Sequence, residues 1–152
     1  MLLQRLFPEQ IDNVHRGQWA GFWLLTPILL LNLAIAAGSV FTPANAIRAD
    51  ALDLTGFSPA AIREVVASTA LLGWMALCMV LLGAVVMARY RAMVPMLYLW
   101  LIVEYLGRRL VLHAHPIDRV AGSGGASIFT LAILATLAAG LGLSLWPRRG
   151  AP

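Results

Sequence analysis

Lysine is absent, and all eleven basic residues are arginines. Cysteine occurs once, at Cys78 within an apolar run, so neither an intramolecular disulfide nor a dithiol relay can form. That excludes the quinone-linked disulfide enzymes, which also use small helical bundles. Charge is scarce as well. Only 12% of the 152 residues are charged against 61% hydrophobic, too little polar surface to clothe a soluble domain of ordinary composition. The chain therefore reads as an integral membrane protein. Its net charge of +4 comes from arginines set mainly beside the apolar runs rather than in one tract. This pattern points to anionic headgroups and away from nucleic acid.

Residues 1–18 mix Arg5, Glu9, Asp12, His15 and Arg16 with Leu2, Leu3, Leu6, Phe7 and Ile11, and read as a short interfacial, flexible lead-in. A first span follows over about 19–38, with Trp19 and Trp23 suited to the headgroup level and Asn32 as its one amide. A signal peptide is the competing reading of this run, since Ala44-Asn45-Ala46 fits a small-residue cleavage site, but the apolar region is long for one. The connection over 39–57 holds Pro43, Arg48, Asp50, Asp53 and Gly56, and predicts a short helix from Pro43 capped by Thr42.

Ser58-Pro59 is a stronger start signal, an N-cap followed by proline at the first helical position. From Pro59 the pattern stays helical to Ala88, roughly 45 Å at helical rise, so a span over 65–88 leaves Arg63 and Glu64 in water. Only Arg89-Tyr90-Arg91 precedes a third span over 92–112, which predicts a tight antiparallel helical hairpin. Pro95 falls in its first turn, where a missing amide donor costs little. A glycine-rich loop and a fourth span over 127–146 complete the pattern, with Pro147, Arg148 and Arg149 at its end. The expected fold is an all-α membrane protein, one domain over 1–152 forming a four-transmembrane-helix bundle with both termini on one side. That side carries Arg5, Arg16, Arg89, Arg91, Arg148 and Arg149 against Arg48, Arg63 and Arg119 on the other, which predicts cytoplasmic termini. Unequal loops and charge in the two halves argue against an inverted-repeat transporter.

The candidate site is the series Glu104, Arg108, Arg109 and His113 in the third span, with Asn32 of the first. Counted from Arg91, Glu104 lies about 20 Å in, past the middle of a hydrocarbon core roughly 30 Å thick. A carboxylate at that depth must find a partner or take up a proton. Arg108 follows one turn on, so an ion pair along one face is expected, either as a buried structural pair with both arginines snorkelling outward, or as part of a proton-coupled site or the seat of an anionic headgroup. Asn32 and Thr130 or Thr136 are expected to turn inward near Glu104, because polar groups in lipid seek protein partners.

His113, His115 and Asp118 do not make a convincing metal set, since His113 and His115 do not share a helix face and Pro116 interrupts the helix. No metal and no cofactor is called for. Small residues at Gly17 and Gly21, Ala84 and Ala88, Ala135 and Ala139, and Ala138 and Gly142 are spaced for close helix contact. Trp74, Trp100, Met75, Met79, Met87, Met93 and Met96 read as filler between helices, with a quinone, carotenoid or lipid-tail pocket as the alternative.

Arg-Tyr-Arg-Ala-Met-Val-Pro at 89–95, Glu-Tyr-Leu-Gly-Arg-Arg at 104–109 and Ser-Leu-Trp at 144–146 together resemble small four-span bacterial membrane proteins of uncharacterised activity. DoxX-like proteins share the size and span count. The resemblance implies a bacterial inner-membrane location and brings no activity with it. Glu104 and Arg108 also have the Glu-x-x-x-Arg spacing of the intramembrane CAAX-type proteases, but that family pairs adjacent glutamates and here Val103 precedes Glu104. The residues thus lean away from an enzyme. The expected function is a non-catalytic accessory or assembly subunit of a membrane complex, with membrane lipids and other subunits or copies of itself as partners. The alternative is a small proton-coupled transporter or carrier centred on Glu104.

Overall fold

The computed structural model describes residues 6–8, 12–14, 17–117, 119 and 125–146. The features expected at Arg5, Glu9, His15, Arg16, Asp118, Pro147, Arg148 and Arg149, and most of the glycine-rich loop, lie outside these residues. Among the described residues there are five α-helices, one 3-10 turn and no strand. An isolated antiparallel bridge joins Leu52 to Arg119.

Helix α1 spans Trp19–Phe41 and continues through Pro27, whose missing amide hydrogen leaves the Trp23 carbonyl without its usual helical donor. It ends at Thr42, whose amide and hydroxyl both donate to the Gly38 carbonyl, at 2.9 and 3.0 Å. Thr42 also stands at the N-cap of the next helix, as expected, but through its backbone carbonyl and not its side chain. The seven-residue α2, Pro43–Ala49, does follow, but the Thr42 hydroxyl closes α1 and makes no cap bond to α2. Helix α3 begins at Pro59, where Ser58 Oγ accepts from the Ala61 amide at 3.2 Å, and runs for 31 residues to Arg89. A 3-10 turn over Arg91–Met93 leads into α4, Val94–Ala114, and α5 covers Gly125–Leu145.

Glycines at the helix contacts reveal how the helices run. Gly73 and Gly83 of α3 face Ser39 and Leu29 of α1, so these two helices are antiparallel. Gly17 abuts the backbone of Ser144, and Gly21 approaches both Ser144 and Gly140, which sets α1 antiparallel to α5. Tyr98 and Tyr105 of α4 reach Gly21 and Asn32, so α1 and α4 are parallel. Although α3 and α4 are adjacent in sequence, they meet little beyond their connecting turn, near which Gly83 lies against Leu97. The expected hairpin is thus tight only at its turn. α3 packs instead on α1, because its close-approach glycines point there.

The core is built by α1, α4 and α5. Phe22, Leu25, Ile28 and Leu29 meet Val94, Tyr98, Leu101 and Tyr105, with Ile133 and Leu137 closing the third side. α4 is asymmetric along its length. It buries Val94, Pro95, Tyr98, Leu101 and Tyr105, but every residue from Arg108 to Ile117 is exposed.

The segment before α1 is docked where it is described, in contrast to the flexible lead-in expected. The Gln18 amide donates to the Leu143 carbonyl at 3.1 Å, and the Ala92 amide donates to the Asp12 carbonyl at 3.3 Å. Of the small-residue spacings, only Gly17 and Gly21 join helices. Ala84, Ala88, Ala135, Ala138, Ala139 and Gly142 are exposed. Trp74, Met75, Met79 and Trp100 are likewise more than two-fifths exposed, so they cover the outside of the bundle and do not fill it. Met87 does pack against the core, while Met93 and Met96 are half-buried.

Among the described residues three helical stretches are long and apolar enough to cross a membrane: Trp19–Phe41, Pro59–Arg89 and Ile128–Leu145. α4 matches α5 at 21 residues, but Glu104, Arg108 and Arg109 set it apart in composition.

Candidate polar site on α4

α4 presents two tyrosines seven residues apart on its buried face, two turns along one side of the helix. An apolar run that includes phenol groups must give each hydroxyl a partner, because an unpaired polar group away from water is costly. Tyr98 donates to the Gly21 carbonyl at 2.6 Å, and Tyr105 donates to Asn32 Oδ1 at 2.9 Å. Asn32 in turn donates from Nδ2 to the Ile28 carbonyl at 2.8 Å. Gly140 makes room for the Tyr98 ring, which sits where a Cβ at that position would be. The two phenols therefore span the gap between α1 and α4 while α5 closes over one of them.

Beside Tyr105 lies the charged pair. Arg108 Nη2 is 2.7 Å from Glu104 Oε1, and the Arg108 guanidinium also lies 6.0 Å from the Tyr105 ring centroid, over its face. The pair sits on the flank of α4, with the arginine side chain 58% and the glutamate side chain 31% exposed. Arg109 is exposed and forms no ion pair or hydrogen bond among the described residues. His113 and His115 are exposed beyond it.

Asn32 meets α4 through Tyr105, the sequence neighbour of Glu104, while Glu104 itself pairs with Arg108 on the flank. Thr136 does not turn to the pair, and its hydroxyl donates to the Ala132 carbonyl at 2.8 Å. Among the described residues no three His, Cys, Asp or Glu side chains come together as a metal set.

A second polar cluster holds the opposite end. Arg91 lies 5.9 Å from the Trp19 ring centroid and 5.5 Å from that of Phe22, and its Nε donates to the Met87 carbonyl at 3.4 Å. This cationic contact pins the start of α1 to the turn between α3 and α4. On the connection between α2 and α3, Asp53 accepts from both the hydroxyl and the amide of Thr55, at 2.6 and 2.9 Å. Those two bonds favour the charged carboxylate and hold its pKa below the usual value.

Tyr98 and Tyr105 are the site residues that residue-by-residue reading of the sequence passed over. Their signal was present as two phenols at a helical repeat within an otherwise apolar face.

The fold and site together define a helical protein in which, among the described residues, three helices are able to span a membrane, while α4 is tied to α1 by tyrosine hydroxyls and carries an ion pair on its flank. The chain matches no family model, no curated protein and no solved structure.

Proposed function

We propose that the chain is a four-span protein of the bacterial inner membrane with both termini in the cytoplasm, acting without catalysis as an accessory or assembly subunit through helix and lipid contacts. The observation that carries this reading is the use made of the polar groups. The inward-facing ones, Tyr98, Tyr105 and Asn32, tie α4 to α1, and the charged ones stand on the outside of α4. Membrane passage by α4 itself is supported by its course, parallel to α1 and cross-linked to it at two levels. The exposed apolar side of α3, with Leu71, Leu72, Trp74 and Met75, fits a lipid-facing or subunit-facing role.

A proton-coupled carrier centred on Glu104 is the weaker fit, because the carboxylate is committed to Arg108 on its own helix. Purification in gentle detergent with crosslinking and mass spectrometry tests the subunit reading. A membrane protein should co-purify reproducibly, and a chain that repeatedly comes out alone overturns it. Proton-driven flux in vesicles that is lost in Glu104→Gln would favour the carrier instead.

A further inference from the structure

Two adjacent arginines on α4 have different surroundings. Arg108 is held from two sides, by Glu104 Oε1 and by the face of Tyr105. Arg109 has neither, and no hydrogen bond or ion pair holds it among the described residues. Glu104 neutralises one guanidinium, so among the described residues the site keeps one uncompensated positive charge. At helical rise Arg109 lies roughly 27 Å beyond Arg91, close to the far edge of a hydrocarbon core about 30 Å thick. An arginine there extends its head to the phosphate level while its stem stays in the apolar layer.

The surface below Arg109 is apolar and uncovered. Leu106 and Val103, three and six residues back toward the membrane centre, are 50% and 55% exposed. Among the described residues no other helix covers α4 from Arg108 onward, where every residue to Ile117 is exposed. A single cation above an open strip of aliphatic side chains is complementary to one molecule that pairs a monoanionic head with an aliphatic tail.

We propose that Arg109 binds the phosphate of an anionic phospholipid, whose acyl chain lies along Leu106 and Val103. The site rests on the reading of α4 as a membrane-crossing helix, and gives the lipid contacts proposed above a specific place.

The test uses the full chain reconstituted in vesicles of phosphatidylcholine that contain either spin-labelled phosphatidylglycerol or spin-labelled phosphatidylcholine. The motionally restricted fraction is measured for each label. The expected result is a preference for phosphatidylglycerol that falls about five-fold in Arg109→Gln, matching about 1 kcal/mol per arginine at an anionic surface. The preference should survive in Arg63→Gln, an exposed arginine elsewhere on the chain, and the thermal midpoint of Arg109→Gln should stay that of the parent. Equal restriction of both labels overturns the lipid site and points to a partner protein's carboxylate as the group Arg109 awaits. So does an undiminished preference in Arg109→Gln. Restriction of neither label would instead refute membrane insertion, the reading on which the site depends.

Discussion

Tyr105 and Asn32 form a relay in which each group is used once: the phenol donates to Asn32 Oδ1 at 2.9 Å, and the Asn32 amide donates onward to the Ile28 carbonyl at 2.8 Å. Tyr105→Phe removes the donor and leaves the amide oxygen unpaired. The expected loss is about 1 kcal/mol, between the average of roughly 0.6 and the maximum of roughly 1.7 kcal/mol for hydrogen bonds within membrane bundles. Asn32→Leu should cost a similar amount, and the double mutant less than the sum, because the second change removes a group already without its partner. Unfolding free energies of the four proteins in mixed micelles measure the coupling. Strict additivity would mean that the two residues do not interact.

The glycines divide into two groups with opposite expected behaviour. A Cβ at Gly17 would run into the Ser144 backbone, and one at Gly140 into the Tyr98 ring. Gly17→Ala and Gly140→Ala should each lose about 1–3 kcal/mol or more through overpacking. Gly107 and Gly142 have nothing within 4 Å, so alanine there should be neutral or stabilising by up to about 1 kcal/mol through helix propensity. Thermal melts of the four variants in one detergent check the contrast.

Arg108→Leu strips the counter-ion from Glu104. In a bilayer the bare carboxylate should cost about 2–3 kcal/mol or take up a proton, and Glu104→Gln added to Arg108→Leu should recover much of that loss. The comparison is made on the two single variants and the double variant in vesicles. No recovery in the double would show that the pair is a surface contact without structural weight.

Asp53 offers a pH prediction on the extramembrane connection. Its folded pKa is depressed by the Thr55 bonds. Its contribution is therefore present above the unfolded carboxylate value, near 4, and is lost as pH falls through the lower folded value. The Thr55 amide resonance should move upfield over that acid range in the parent protein. In Asp53→Asn the shift should be absent.

How far the residues themselves disclosed this arrangement depends on the kind of feature. Ser58-Pro59 marks the start of α3 because a cap and a first-turn proline act locally, within a few residues. Glu104 and Arg108 meet for the same reason, one turn apart on one helix. Helix pairing is a different matter. Spacing fixes which side of a helix a residue occupies, but not which helix lies opposite, so the preference of α3 for α1 over its sequence neighbour α4 stayed hidden. Nor does spacing distinguish Gly17 and Gly21, which meet α5, from Ala138 and Gly142, which face outward. Thr42 shows the same limit on a smaller scale: two helices compete for one hydroxyl, and composition does not say that the carbonyl behind it wins.

The place of α1 in the core has a consequence for how the protein is made. α1 is cemented by groups that emerge well after it: Leu143 receives the Gln18 amide, Ser144 seats Gly17, and Leu137 joins Leu25 in the same core cluster. Until α5 is synthesised, α1 has α2, α3 and then α4 for company, and the side reserved for α5 stays open to lipid or to another nascent chain. α5 acts as a keystone for α1, and the interval before it arrives is when quality control has the most of this packing surface to recognise.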